Sequence, residues 1–82
     1  MTYSEEKAIE RDNVIEFANL TRRLQSNEIN SVDYPNYDWL LGYIKTLKQG
    51  LEDSGIIKIH KNGSTEFLFE EYKWLFRETL EG

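Results

Sequence analysis

The residue types that could do chemistry in this chain of 82 residues are few and scattered. The one histidine, His60, lies between Ile59 and Lys61. No Asp or Glu stands at triad or metal-ligand spacing from it, so it reads as an ordinary surface residue. Carboxylates come near one another at Glu6/Glu10 and at Glu66/Glu70/Glu71. A general acid and base need carboxyls whose surroundings pull their pKa values apart, whereas acids on an acidic surface are simply solvated. The chain has no glycine-rich phosphate loop and no nucleophile elbow. Its lack of cysteine removes disulfides and thiolate metal sites together. The residues predict no enzyme, no metal and no cofactor, and point to a domain that works by binding.

Fifteen acidic and ten basic residues give a net charge of −5. The surplus is uneven: −3 over residues 1–36, 0 over 37–69 and −2 over 70–82. Nucleic-acid binders draw their affinity from Lys and Arg that neutralise phosphates, so this balance is a handicap for that role. Residues 1–12 are charged throughout, without the apolar stretch of a secretion signal. No apolar run approaches the ~20 residues of a membrane span. With no disulfide staple available, a soluble protein in a reducing, cytoplasmic compartment is expected. Eleven residues are aromatic. A core of this size uses about four or five, and the remainder are expected at the surface, where aromatic rings anchor protein interfaces.

These residues need elements to position them, and the length allows one α+β domain spanning residues 1–82. Ser4, ahead of Glu5 and Glu6, reads as the cap of a first helix over about 4–25. At 100° per residue Val14, Phe17, Leu20 and Leu24 share one side and Ile15 and Ala18 another. That arc is wider than one packing partner needs, so the helix is either sandwiched within the domain or packed on a second chain. Asp12 is an alternative internal cap. Residues 26–36 are polar, with room for one short helical turn before Pro35. Asn36 then caps a second helix over about 37–53, with Leu40, Ile44, Leu47 and Leu51 as its core stripe. Asp38, Lys45, Gln49 and Glu52 face outward. Gly55 suits the left-handed residue that ends such a helix.

Residues 56–69 predict a β-hairpin around Asn62-Gly63. A two-residue turn would pair Lys58 with Phe67 and Ile59 with Glu66, mixing apolar and charged partners. A three-residue loop, Lys61-Asn62-Gly63, pairs Ile57 with Phe67, Lys58 with Glu66 and His60 with Ser64. It gathers Ile57, Ile59, Phe67 and Phe69 on one face, and that register is the one expected. A third helix follows over about 70–80, with Tyr72, Leu75, Phe76 and Leu80 toward the core. Trp74 projects from the opposite side among Glu70, Glu71, Arg77 and Glu78.

The stretch LEDSGIIKIHKNGSTEFLF, from Leu51 to Phe69, resembles the end of a winged-helix domain. In that family a recognition helix closes with Leu-x-x-x-Gly and two hydrophobic residues, here Leu51, Gly55, Ile56 and Ile57, and a hairpin wing follows. The resemblance covers residues 37–69. It implies that the helix before the recognition helix is the segment around Asn27 to Val32. It also implies a nucleic-acid face made of Tyr37, Asp38, Gly42, Lys45, Lys48 and Gln49 on the helix and Lys58, Lys61 and Asn62 on the wing. Asp38 and Gly42 at the leading edge, and Glu52 and Asp53 at the far end, depart from a good DNA reader. The lysines amount to about three or four phosphate contacts, which is weak. Many winged-helix domains bind proteins or dimerise instead.

The leading expectation is therefore a non-enzymatic protein-binding module, a small acidic regulator or inhibitor, with a winged-helix DNA-binding regulator as the alternative and a homodimer compatible with both. The partner-binding candidates are Trp74 with Glu71 and Glu78, then Trp39, then an acidic face of the first helix made by Glu5, Asp12 and Glu16. Carboxylates so aligned can stand in for phosphates and occupy a site built for nucleic acid. Small inhibitors encoded by phages and other mobile elements often work this way, and the size and composition fit them. Trp74 is either covered by the N-terminal segment around Tyr3 or part of a binding surface. Trp39, beside Thr46 and Gly50, is expected to be partly buried.

Overall fold

The computed structural model describes residues 2–32 and 34–82. It contains helix α1 (Tyr3–Gln25), helix α2 (Tyr37–Asp53), strands β1 (Ile57–Ile59) and β2 (Thr65–Phe67), and helix α3 (Glu70–Glu81). The architecture is the expected α+β arrangement of three helices and one antiparallel hairpin.

Helix α1 starts earlier than expected because Thr2, not Ser4, caps it, its hydroxyl accepting from the Glu5 N–H at 3.3 Å. No break occurs at Asp12, and the 23 residues run about 35 Å. The wide apolar arc has its explanation inside the domain: α1 packs on both α2 and α3, burying Val14, Phe17 and Ala18. The segment around Asn27 to Val32 forms turns rather than the helix that the winged-helix resemblance implies. Asn27 takes the left-handed conformation (φ 63°), which asparagine tolerates better than most residues. Ile29 is the loop's buried anchor, while Val32 is exposed.

Helix α2 buries Leu40 and Leu51 and packs Ile44 and Leu47 against the core. It ends in a Schellman arrangement. The Ile56 N–H donates to the Leu51 carbonyl and the Gly55 N–H to the Glu52 carbonyl, both at 3.0 Å, with Gly55 at φ +77°. A Cβ at Gly55 would meet open space, so Gly55→Ala tests backbone conformation alone. It is expected to cost about 1–2 kcal/mol. Gly50, helical in the last turn of α2 and also open, is expected to show the opposite sign, Gly50→Ala gaining about 0.5 kcal/mol. Urea unfolding of the two variants reads both, and equal signs would contradict the assignment.

The hairpin adopts the three-residue-loop register, pairing Ile57 with Phe67, Lys58 with Glu66 and Ile59 with Thr65. The His60 N–H donates to the Ser64 carbonyl at 2.9 Å, Gly63 lies at φ +87°, and the Asn62 carboxamide oxygen accepts from the Ser64 N–H and hydroxyl. Glu52 does not face outward as expected. Its carboxylate accepts from the Ile59 N–H at 2.8 Å and so pins β1 to the end of α2. Phe69 also departs from expectation: it precedes α3 as an exposed residue, its ring meeting Tyr72 edge-on at 6.2 Å. The core gathers Val14, Phe17, Leu51, Ile56, Ile57 and Tyr72, with Phe76 between Phe17 (5.5 Å) and Phe67 (4.9 Å). Among the described residues no helix is long and apolar enough to cross a membrane.

Candidate functional site

Helix α3 carries three stripes, because residues three and four apart share a face. Tyr72, with Leu75 and Phe76, holds the helix to the core. Glu71, Trp74 and Glu78 form a second stripe, bordering a cleft of about 270 Å³ that α1 closes with Arg11. Lys73, Phe76, Arg77 and Leu80 form a third, which opens on a larger groove of about 740 Å³.

The seam between α1 and α3 is fixed by two polar contacts. The Tyr72 hydroxyl donates to the Glu10 carboxylate at 2.8 Å, and the Lys7 ammonium pairs with Glu71 at 2.7 Å. Burial first, then the bond to Glu10, push the Tyr72 phenol up to about 12. The bond to Glu71 holds Lys7 above its ordinary value. Around this seam lies an aromatic surface. Trp74 is 57% exposed, with the Arg77 guanidinium 5.8 Å from its ring centroid. Tyr3 is 74% exposed. It does not cover Trp74; it lines a neighbouring cleft with Phe69, and Glu71 and Tyr72 border both clefts. The expected cover over Trp74 by the segment around Tyr3 is therefore not formed among the described residues.

Trp39 is 70% exposed, a correction to its expected partial burial. Its ring stacks parallel on Tyr43 at 5.6 Å, outside the α2 core stripe. The Tyr43 hydroxyl in turn donates to Glu16. That bond is the main reason the Tyr43 phenol is raised above its ordinary range. The acidic face expected on α1 is thereby reduced: Glu16 is half-buried and engaged, leaving Glu5 and Asp12 as exposed carboxylates.

The nucleic-acid candidates divide in the same way. Lys48 donates to the Gly63 carbonyl at 2.9 Å, Gln49 bonds Glu52 and Asp53, and Asn62 is used inside the hairpin loop. Tyr37 is half-exposed at the start of α2. Lys45, Lys58 and Lys61 are exposed. Arg23 pairs with Glu28 at 3.6 Å. His60 has a carboxylate partner the sequence reading missed, Glu66 at 3.0 Å. Among the described residues no group of three or more His, Asp or Glu could hold a metal ion.

Comparison with protein-family models, with curated proteins and with solved structures gives no match.

Proposed function

We propose that this chain is a non-enzymatic protein-binding module, a small acidic regulator or inhibitor of the reducing cytoplasm, that grips its partner through the aromatic seam between α1 and α3. The observation that carries this reading is the exposure of Trp74, ringed by Arg77, Glu71 and Glu78. A large ring left in water forfeits the burial a core would give it, and a partner restores that burial while the charged rim excludes solvent. The acid surplus and the engagement of Lys48, Gln49 and Asn62 within the fold favour a protein over a polyanion.

The test is a pull-down from the native host with wild type and Trp74→Ala in parallel, scored for protein and nucleic acid. A protein held by the wild type and bound at least about thirtyfold more weakly by the folded variant is the expected result. Equal retention by both would remove the aromatic seam as the site. Retardation of duplex DNA at low salt, abolished by Lys45→Glu, would replace this reading with the nucleic-acid one.

A further inference from the structure

The chain's excess acidity conceals a surface of the opposite sign. We infer that the large groove beside α3 is a second docking site, which takes an acidic amphipathic helix from another protein. The groove lies between α1, α2, the hairpin and α3, with a volume of about 740 Å³. Ile44, Phe67, Phe76 and Leu80 give it an apolar floor, and each keeps part of its surface in solvent. Its rim carries Lys48, Lys73 and Arg77 against a single carboxylate, Glu66, which already meets His60. The Lys73 ammonium has no hydrogen bond or ion pair among the described residues.

Three physical points select the occupant. The apolar floor gives a polyanion such as nucleic acid nothing to neutralise, whereas it rewards burial of leucine or phenylalanine side chains. The exposed walls leave the groove open, while small-molecule sites enclose about 70–90% of their ligand. On α3 the lining residues Lys73, Phe76, Arg77 and Leu80 follow i, i+3, i+4, i+7 spacing, so cationic and apolar groups share one face over about two turns. That face complements a helix presenting apolar anchors at the same spacing with Asp or Glu beside them. Charge complementarity then favours acidic over basic partners and speeds their encounter.

The inference does not rest on the aromatic seam, and its test separates the two. The probe is a synthetic amphipathic helix of leucine and glutamate, titrated into the ¹⁵N-labelled full chain. Shifts are expected at Ile44, Phe67, Lys73, Phe76, Arg77 and Leu80. Lys73→Glu is the informative variant, because Lys73 is exposed and lies off the Trp74 stripe; it should weaken the peptide roughly tenfold. Trp74→Ala should weaken the peptide far less than Lys73→Glu does, since it reaches the groove only through the Arg77 that lies over its ring. A leucine–lysine peptide binding as well as the acidic one would overturn the proposal. So would shifts centred on Trp74 and Glu78, occupation by decanoate or a single-stranded oligonucleotide but not by the peptide, or no effect of Lys73→Glu in a variant whose spectrum remains folded.

Discussion

Leu51→Ala is expected to lower the unfolding free energy by about 2–5 kcal/mol. Domains of this length hold roughly 0.05–0.15 kcal/mol per residue, so one substitution would remove a large share of the total. Leu51 is fully enclosed by a cluster drawing on α1, α2, the hairpin and α3, and its carbonyl also accepts the Ile56 N–H that ends α2. Truncation therefore leaves a space inside the cluster to which all four contribute. Leu41→Ala, ten residues earlier on the same helix and 39% exposed, should cost only about 1 kcal/mol. Urea denaturation followed by circular dichroism measures both. Equal losses would mean that the core is not centred on Leu51.

The stretch containing Leu51 was also the most legible in the sequence. The backbone from Leu51 to Phe67 is decided locally: a glycine suited to the left-handed end of α2, an Asn-Gly loop, and strand residues whose apolar members align in one register. What escapes is set by side-chain contacts that the local pattern does not specify, two of them only a few residues away and one spanning most of the chain. Charge and a place off the core stripe point Glu52 to solvent, yet the hairpin folds back and presents the Ile59 N–H to it. The bond between Tyr72 and Glu10 joins residues 62 apart, and neither side chain announces the other. Trp39 was expected to be partly buried because tryptophan near an apolar stripe usually extends it. The parallel stack on Tyr43 holds its ring outside instead.

The large groove was hidden for a related reason. The periodicity puts Phe76 and Leu80 toward the core and Arg77 on the solvent side, and each assignment is locally sound. Periodicity places residues on faces but does not say whether the facing elements close over them. Here the hairpin and α1 meet α3 without sealing it, so residues assigned to the core and to solvent become the floor and rim of one groove. Arg77 belongs to this groove and also lies over the Trp74 ring. Helix α3 thus carries an aromatic stripe edged by acids and a groove stripe bearing two cations, and Arg77 stands where the two meet.

The Tyr72–Glu10 bond gives the fold a limit at alkaline pH. In the unfolded chain a tyrosine ionises near pH ~10, whereas in the folded protein burial and Glu10 raise Tyr72 to about 12. Between those values the folded chain keeps a proton that the unfolded chain has released. Stability held in full below about pH 10 is then lost as pH rises through about 12, at up to about 1.4 kcal/mol per unit from this group. The raised Lys7 acts in the same direction, because losing its proton dissolves the pair with Glu71 on the same seam. Tyr72→Phe should make the slope shallower, leaving the share that Tyr43 and Lys7 contribute in the same direction. At neutral pH it should cost about 1 kcal/mol, toward the low end for a lost charge-assisted bond, since Glu10 is only half-buried and water can replace the phenol. Urea unfolding at intervals from about pH 8 to about pH 11 distinguishes the two chains. A wild type whose stability is flat across that range, or a variant falling as steeply as the wild type, would show that the α1–α3 seam is not held by this phenol.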